Sequence, residues 1–429
     1  MLCDHKQCTG CAACAAVCPV GAIQMQQDVD GFYFPKVEGS CIHCGKCEHT
    51  CPVLTPRSRP DAVYPQAYVM KHNDRDVLLQ SASGGMFTLL AQWAFAQNGC
   101  VYGACWDENF HVQLRRADSM EQLAPMRGSK YVYSHAQAVY RDAEQQLKAG
   151  RTVVFTGVPC QIAALYGVLQ GREYPNLYTA EIVCHGAGSE RVFDAYLADI
   201  QTQSGKRLKA LDQTSKKRPW TKLIQRYICQ VWQDGSESCA NFSEDSYTAF
   251  YMKNLCFNES CYQCPWASVP RKADVTMGDF MGIGVTKRHY IKLKDGVSAV
   301  WFNTQKGVQL REKLSESTDA CWEKCDLAEC MEFNHTLWKP STRPQGREKF
   351  LDNFNKISYS SLKAQYFTPK YKAMRVIKKS INMVLGAHLT ACGIDLVQQK
   401  NGVPKKVQEK LLTLKELYGQ SEEAECSKR

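Results

Sequence analysis

The stretches CTGCAACAAVCP at residues 8–19 and CIHCGKCEHTCP at residues 41–52 repeat one cysteine pattern near the start of the chain. Both read C-x-x-C-x-x-C-x-x-x-C-P, and each cysteine of the second copy lies 33 residues after its counterpart. Three closely spaced cysteines can surround a bound group, and the proline after the fourth turns the chain away. The repeat therefore predicts a small N-terminal module with two similar binding loops.

This spacing is typical of ligands to 4Fe-4S clusters, because a short loop reaches three corners of a cubane and the fourth ligand comes from the other copy. Zinc sites are one alternative, but they pair two C-x-x-C sequences and need no third cysteine at this spacing. Disulfides are another, and they are typical of short secreted chains. We expect two clusters that carry single electrons, one bound by Cys8, Cys11, Cys14 and Cys51 and the other by Cys41, Cys44, Cys47 and Cys18.

The composition predicts more than this module. The chain has 429 residues, 44% of them hydrophobic, so we expect two or three domains and a sizeable second core. Its 23 cysteines, without a recognisable secretion signal, indicate metal binding in a reducing compartment, the cytoplasm. The formal charge is +10, with basic clusters at 206–209 and 216–218, but no nucleic-acid motif accompanies it. We expect no nucleic-acid partner and, without an apolar run of about eighteen residues, no transmembrane span.

Strands and helices alternate after a proline-rich connector at residues 55–60. The β-branched run at 152–155 predicts a buried strand followed by a helix over 162–169, and a second strand at 180–183 precedes a helix over 190–201. Cys160 and Cys184 directly follow these two strands. We expect an α/β domain with both cysteines at one edge of its sheet, where sites in such folds are built.

Cys261 and Cys264 add a C-x-x-C pair further along, and with Cys160 and Cys184 they are candidates for a third cluster. Cys256 is an alternative ligand, because Cys256, Cys261 and Cys264 match the C-x-x-x-x-C-x-x-C spacing of two-iron ferredoxins. A second alternative is that these cysteines are small buried hydrophobic residues. Separation along the chain does not decide which set converges.

The start of the helix predicted at residues 86–95 is a candidate phosphate site. Ser83, Gly84 and Gly85 precede it, and the free backbone N–H groups of a helix N-terminus attract anions. An ordinary helix cap is the alternative. The sequence contains neither a P-loop nor a dinucleotide fingerprint, so nicotinamide binding has no direct support.

Six motifs occur in the order found in the family of coenzyme F-420 hydrogenase/dehydrogenase beta subunits, which this chain resembles over about residues 1–310. They are Ser83-Gly84-Gly85, Gly128-Ser129-Lys130-Tyr131, Gly157-Val158-Pro159-Cys160-Gln161, Cys184-His185-Gly186, Cys261-Tyr262-Gln263-Cys264 and residues 273–282. Proteins of that family contain FAD and iron–sulfur clusters and move electrons between a two-electron organic substrate and a one-electron chain. Some act on the deazaflavin coenzyme F-420.

The resemblance implies roles for individual residues. It implies that a third 4Fe-4S cluster is bound by Cys160, Cys184, Cys261 and Cys264, with Cys256 as a neighbour. It also implies FAD, contacted by Ser83, Gly84, Gly85, Ser129 and Lys130. Lys130 is expected to pair with the pyrophosphate or to stabilise charge on the reduced ring, and its alternative is a surface lysine. His185 is expected to shuttle a proton or to be a structural histidine. Lys130 and His185 are the candidate catalytic residues.

The expected organisation is a bacterial-type two-cluster ferredoxin domain at 1–60, an α/β flavin-binding domain in two parts at 61–150 and 151–342, and a basic helical tail at 343–429. Within the tail, residues 371–396 predict a helix packed on one face, or one that binds an anionic surface. The expected function is an FAD- and 4Fe-4S-dependent oxidoreductase. It would pass electrons between a one-electron partner such as ferredoxin and an organic two-electron substrate, F-420 or another. The alternatives are an electron-transfer subunit without a substrate site and an accessory protein in surface-polysaccharide synthesis.

Overall fold

The computed structural model describes residues 2–217, 227–283, 290–292, 295–368 and 405–418. Within them lie a mixed sheet of nine strands, a three-stranded sheet and a two-stranded hairpin, with helices packed against them. The fold is therefore mixed α/β, as expected. The helix predicted at 371–396 lies outside the described residues.

The strands and helices are numbered in chain order. The strands are β1 (Ile23–Gln27), β2 (Tyr33–Val37), β3 (Ala62–His72), β4 (Cys100–Trp106), β5 (Val112–Ala117), β6 (Ser134–His135), β7 (Val153–Gly157), β8 (Leu177–Ile182), β9 (Leu208–Ser215), β10 (Tyr227–Trp232), β11 (Glu237–Asn241), β12 (Val275–Asp279), β13 (Ser298–Thr304) and β14 (Ala320–Lys324). The helices are α1 (Ala13–Val17), α2 (Lys46–Thr50), α3 (Arg75–Gln80), α4 (Met86–Phe95), α5 (Met120–Leu123), α6 (Gln137–Lys148), α7 (Pro159–Val168), α8 (Glu190–Ser204), α9 (Ser246–Met252), α10 (Gln305–Ser315), α11 (Leu327–Phe333), α12 (Arg347–Phe354), α13 (Tyr359–Tyr366) and α14 (Lys405–Tyr418).

The large sheet has the strand order β14-β3-β13-β12-β8-β7-β4-β5-β6. Its centre, β12-β8-β7-β4, is parallel, whereas β13, β3 and β14 on one side and β5 on the other run antiparallel to their inner neighbours. Strand β7 is buried along its whole length, as its β-branched sequence predicts. Because β7 and β8 are parallel neighbours, the segments that carry Cys160 and Cys184 leave the sheet at one edge. This prediction is confirmed.

The N-terminal module is a hairpin with two one-turn helices. Strands β1 and β2 pair antiparallel, and α1 and α2 each begin inside a cysteine run. Ala12 and Gly45 precede these helices with φ angles of 62° and 70°. The left-handed backbone at equivalent places in the two repeats gives both cysteine loops the same turn.

The module packs directly against the large domain. Ala13 and Ala16 of α1 share a hydrophobic core with residues of α6 and α7. A Cβ at Gly167 in α7 would overlap the Thr50 carbonyl oxygen at the end of α2, so the two helices meet at backbone distance. At the tip of the hairpin, a Cβ at Gly31 would overlap Ser189 and Arg191 at the start of α8. The cysteine loops are thereby held at a fixed place on the domain.

A three-stranded antiparallel sheet, β11-β10-β9, follows α8 and was not expected from the sequence. Cys229 of β10 and Cys239 of β11 face each other in register and form a disulfide. These two cysteines had no predicted role. The end of β9 leads back toward the Ser83 loop, which places this sheet beside the candidate phosphate site.

The final described helix, α14, buries Val407 and Leu414 in a core that includes residues of β3, β13 and α11. The C-terminal region is thus helical and packed on one face where it is described. None of the helices in the described part of the chain has the length and apolar character needed to cross a membrane.

Candidate functional site

The first predicted ligand set lies around one cavity. Cys8, Cys11, Cys14 and Cys51 all line it, together with Cys3 and Cys47. The structure thus brings Cys51 of the second repeat to the three cysteines of the first, as the exchanged fourth ligand requires. Cys3, which had no predicted role, lies within hydrogen-bonding reach of Cys8 and Cys51.

Burial and hydrogen bonds set the pKa values of the thiols in this set. It raises the pKa of Cys11 to about 11 and that of Cys14 to about 12, while the backbone N–H groups of Ala13 and Ala15 act in the opposite direction. For Cys8, the hydrogen bond with Cys3 and then burial raise the thiol pKa. Buried thiols with raised pKa values need a nearby positive charge to become thiolates, and N–H groups directed at sulfur suit that state. This environment fits an iron cluster, and the ligand assignment remains a prediction.

The second set is more exposed. Cys41 and Cys44 lie on the surface, in a loop where residues 38–44 are all exposed. Cys41 and Cys44 both act electrostatically on Cys47. The backbone N–H of Ala22 donates to the Cys18 sulfur at 3.2 Å. Although burial opposes it, the N–H groups of residues 20–23 lower the pKa of Cys18.

The third set converges from three parts of the chain. Cys160 lies in the first turn of α7, Cys184 follows β8, and Cys261 and Cys264 lie in and directly after a 3-10 turn over Glu259–Gln263. Burial raises the pKa of Cys160, and the charges of Cys184, Cys264, Cys11 and Cys261 add to that effect. The N–H of Ala187 donates to the Cys261 sulfur at 3.3 Å. Four thiols that influence one another in a buried place fit a cubane site, and this assignment also remains a prediction.

Cys256 lies apart from this group. It is fully buried in a core of aromatic residues, and burial raises its pKa to about 12 without an effect from the other candidate ligands. Its carbonyl accepts a hydrogen bond from the Ser189 N–H at 2.8 Å. This position favours a packing role for Cys256.

Within the described residues, no group of three or more His, Cys, Asp or Glu side chains is arranged to hold a single metal ion. In a cubane each cysteine binds a different iron, so its ligands lie further apart than those of one ion.

The first and third sets are neighbours. Tyr133 and Tyr140 of the large domain donate hydrogen bonds to the carbonyls of Gly10 and Cys11, at 2.5 and 3.0 Å. The Cys11 charge also acts on Cys160. The loop that carries Cys11 is thus fixed beside the helix that carries Cys160.

The Ser83–Gly85 loop is tightly constrained. A Cβ at Gly84 would overlap the Met70 carbonyl oxygen and the Ser298 backbone nitrogen, and Gly85 has a φ of +90°. Only glycine fits this close approach without strain. The Ser83 hydroxyl donates to the Val297 carbonyl at 2.6 Å, so it is already engaged within the protein.

Lys130 is held by its own turn. Its ammonium donates to the carbonyls of Met126, Arg127 and Gly128 at 3.2, 3.0 and 3.1 Å. Burial lowers its pKa to about 8. The neighbouring Ser129 N–H donates to Thr214 Oγ1 at 3.3 Å. A cation with a lowered pKa in this position fits an anionic group of a cofactor.

His185 lies among aromatic rings. Tyr251, Phe257 and His335 surround its ring, and among the described residues its Nε2 is buried without a hydrogen-bond partner. Burial, followed by the effect of His335, lowers its pKa to about 4. His185 is therefore neutral at physiological pH, and a proton-shuttling role remains a prediction.

Comparison with known proteins identifies two parts of the chain. Residues 150–326 match the family described as the C terminus of the coenzyme F420 hydrogenase/dehydrogenase beta subunit, and residues 7–55 match the 4Fe-4S dicluster domain. The predicted resemblance is confirmed. The matched beta-subunit region contains Cys160, Cys184, Cys261 and Cys264, whereas Ser83 and Lys130 precede it.

Two curated relatives each match a little over a third of this chain. The F subunit of the F420H2 dehydrogenase of Methanosarcina mazei is 24% identical over 173 residues, which are 38% of this chain and 48% of the relative. An uncharacterized protein of Methanocaldococcus jannaschii is 24% identical over 195 residues, 39% of this chain and 54% of its own length. The chain thus spans about half the length of these relatives. Among solved structures, one chain of the F420-reducing NiFe hydrogenase complex from Methanosarcina barkeri aligns with this protein. The alignment covers 71% of this chain and 93% of the hydrogenase chain, at 18% identity and a TM-score of 0.43.

Sequence reasoning missed further residues around the beta-subunit motifs. Lys216 donates to the carbonyls of Leu78, Ser83 and Asp295, and Arg127 donates to Thr88 Oγ1 in the first turn of α4. The basic cluster at 216–218 drew attention to Lys216 but gave it no role. Nothing in the sequence relates it to a loop more than 130 residues earlier.

Proposed function

We propose that this chain is an iron–sulfur flavoprotein oxidoreductase. It passes electrons between a ferredoxin-like one-electron partner and a two-electron organic substrate, with FAD as the converting group. Coenzyme F-420 is the proposed substrate because the matched family and the M. mazei relative are named for it. The proposed division of labour is a cluster module at 1–60 and a flavin- and cluster-binding domain at 61–342.

The observation that supports this proposal is that candidate ligands from all three cysteine sets lie in one packed body, some at its surface and others inside it. Cys41 and Cys44 are exposed, Cys11 lies deeper beside the large domain, and Cys160 is its neighbour there. The hydrogen bonds from Tyr133 and Tyr140 fix this contact. Such an order suits transfer of single electrons from the surface inward.

The chain's own residues supply positioning and charge. FAD accepts or donates a hydride at its ring and exchanges electrons singly with clusters, which is the conversion this function needs. The close packing of Gly84 keeps side chains out of the loop before α4, and Lys130 contributes a cation that can balance an anion. The hydrogen bonds from Tyr133 and Tyr140 hold the Cys11 loop in place against the large domain.

The test is the cofactor content and spectra of protein purified without air. We expect about twelve irons for three cubanes, an equal amount of sulfide, and near one FAD per chain. Reduced F-420 or reduced ferredoxin should then bleach the flavin absorbance. Protein with full clusters and no affinity for FAD would rule out this function.

A second candidate function is an electron-transfer subunit without its own substrate site. The engaged Ser83 hydroxyl and the three carbonyls around the Lys130 ammonium favour it, because these donors are already satisfied within the protein. Cluster reduction by a partner, with no flavin bound and no change on addition of F-420, is the outcome that supports this candidate.

A further inference from the structure

Two cations that no sequence motif singled out lie beside the Ser83–Gly85 loop. We infer that Arg127 is a direct ligand of the pyrophosphate of a bound dinucleotide, and that Lys216 is a positioning residue that holds the loop in shape to receive it. This inference rests on the proposed function, in which the dinucleotide is FAD.

Lys216 joins three separate segments. Its ammonium lies 2.9 Å from the Leu78 carbonyl oxygen, 2.5 Å from that of Ser83 and 2.6 Å from that of Asp295, and the residue is 6% exposed. A Cβ at Gly296 would come within 2.9 Å of this nitrogen. A lysine has three donors, and three carbonyls occupy them. Lys216 therefore acts on a ligand through the shape of the Ser83 loop.

Arg127 contacts the chain just before and just after the same loop. Its Nε donates to Thr88 Oγ1 at 3.1 Å, and its Nη1 donates to Gln80 Oε1, just before Ser81. Both acceptors are neutral. The guanidinium has five donors in a planar fork, and these two contacts leave the rest of the fork available to an oxyanion.

The charges of Arg127 and Lys130 are balanced by carboxylates only at a distance within the described part of the chain. Among the described residues, neither Arg127 nor Lys130 forms a contact ion pair, although Asp74 and Asp212 act on them electrostatically. Burial lowers the pKa of Arg127 as well as that of Lys130. A pyrophosphate would supply the missing negative charge.

The end of β9 makes the loop and the Lys130 turn parts of one site. Gln213 and Thr214 accept hydrogen bonds from the N–H groups of Tyr131 and Ser129, and Lys216 follows two residues later. The arrangement thus places Arg127, Lys130 and Lys216 around the constrained glycines. It differs from a simple helix cap, which needs no cations.

The experiment measures the affinity of flavin-depleted protein for FAD and for ADP, which shares the pyrophosphate but lacks the isoalloxazine ring. The variants are Arg127→Gln, Arg127→Lys, Lys216→Met and Lys216→Arg. Exposed residues on neighbouring strands provide matched controls, Arg115→Gln on β5 and Lys209→Met on β9. The melting temperature of each flavin-depleted variant is measured in parallel.

We expect Arg127→Gln to lower the affinities for FAD and for ADP by a similar factor, about ten- to hundredfold, because a charge-assisted hydrogen bond to phosphate is lost. Arg127→Lys should recover part of this loss without a change in melting temperature. Lys216→Met should lower the affinity for both FAD and ADP, and Lys216→Arg should restore part of that affinity. The controls should bind as the unmodified protein does.

Suppose that the unmodified protein binds FAD and that Arg127→Gln binds FAD and ADP as tightly as the unmodified protein does. That result overturns this inference alone. Loss of FAD but not of ADP in Arg127→Gln also overturns it, because the effect then does not act on the pyrophosphate. Unmodified protein that binds neither ligand overturns the inference together with the proposed function.

Discussion

At the scale of single residues, one buried ion pair influences the third cysteine set. Arg271 and Glu181 are each about 1% exposed in their side chains, and Arg271 also donates to the Trp266 carbonyl at 2.7 Å. Burial raises the pKa of Cys184 and of Cys264; the Arg271 charge opposes this effect and the Glu181 charge adds to it. Both charges of the pair therefore act on these thiols, in opposite directions.

Breaking this pair should destabilise the protein strongly. Glu181→Gln leaves the Arg271 charge buried without its counter-ion, and we expect the free energy of unfolding to fall by about 3–5 kcal/mol. Urea denaturation measures the change. Glu144→Gln, which removes ion pairs with the exposed Lys148 and Arg172, is the control and should cost less than about 1 kcal/mol. Equal losses in the two variants would contradict the prediction.

The lowered pKa of Lys130 predicts a pH dependence of flavin binding. Burial brings this pKa to about 8, so the ammonium is lost as the pH rises through that value. Affinity for FAD should therefore fall between pH 7 and pH 9.5, and fluorescence titration at each pH measures it. In Lys130→Met, FAD should bind more weakly and with a flatter pH profile, whereas Lys209→Met should keep the original profile. A profile in Lys130→Met that is unchanged in shape is the contrary result.

At the scale of secondary structure, close packing of helices joins the module to the domain. Gly167 of α7 lies against the Thr50 carbonyl at the end of α2, and α1 packs between α6 and α7. Helix α7 also begins with the turn that holds Cys160. One helix thus contacts the module at its end and carries a candidate ligand at its start.

Gly167→Ala tests this packing. The added methyl group overlaps backbone that cannot move without shifting α2, and we expect the free energy of unfolding to fall by about 1–3 kcal/mol. Limited proteolysis at the 55–60 connector should become faster, because the module separates more readily. Gly346→Ala, at a residue with a φ of −83° where an added Cβ would meet only Leu255 at 3.8 Å, is the control for added volume. Its connector should be cleaved at the original rate.

Local sequence patterns predicted the elements around the site well, and long-range contacts poorly. Helix α4 has its predicted bounds, because Gly85 starts it and an apolar run follows. Strands β9 to β11 were missed, since a sequence such as LKALDQTS mixes polar and apolar residues without a clear alternation. The contact of Lys216 with Ser83 depends on how the three-stranded sheet folds back onto the domain. That placement is a property of tertiary packing, which periodicity does not report.

At the scale of the whole molecule, accessibility decreases from the second cysteine set to the third. Cys41 and Cys44 are exposed, whereas Cys8 is buried and Cys160 is partly buried beside Cys11 of the module. The exposed set is the one at which a partner would exchange electrons.

Alkylation should follow this gradient. In cluster-free protein kept reduced, we expect iodoacetamide to modify Cys41 and Cys44 before Cys8 and Cys160, because burial limits access and raises the pKa of the inner thiols. Peptide mass spectrometry at successive times measures the order. Addition of denaturant should abolish the difference, which controls for intrinsic reactivity. Simultaneous labelling of all four in folded protein would refute the gradient.

The close fit of Gly31 against the start of α8 limits how this protein can be recombined. The hairpin tip fits only because residue 31 has no side chain, and Ser189 and Arg191 hold it by hydrogen bonds to the Asp30 and Val29 carbonyls. A cluster module borrowed from an unrelated ferredoxin would carry a different tip and would not dock. Replacing the cluster module by gene fusion thus requires matching changes at the start of α8. We therefore expect the cluster module and the large domain to be inherited together.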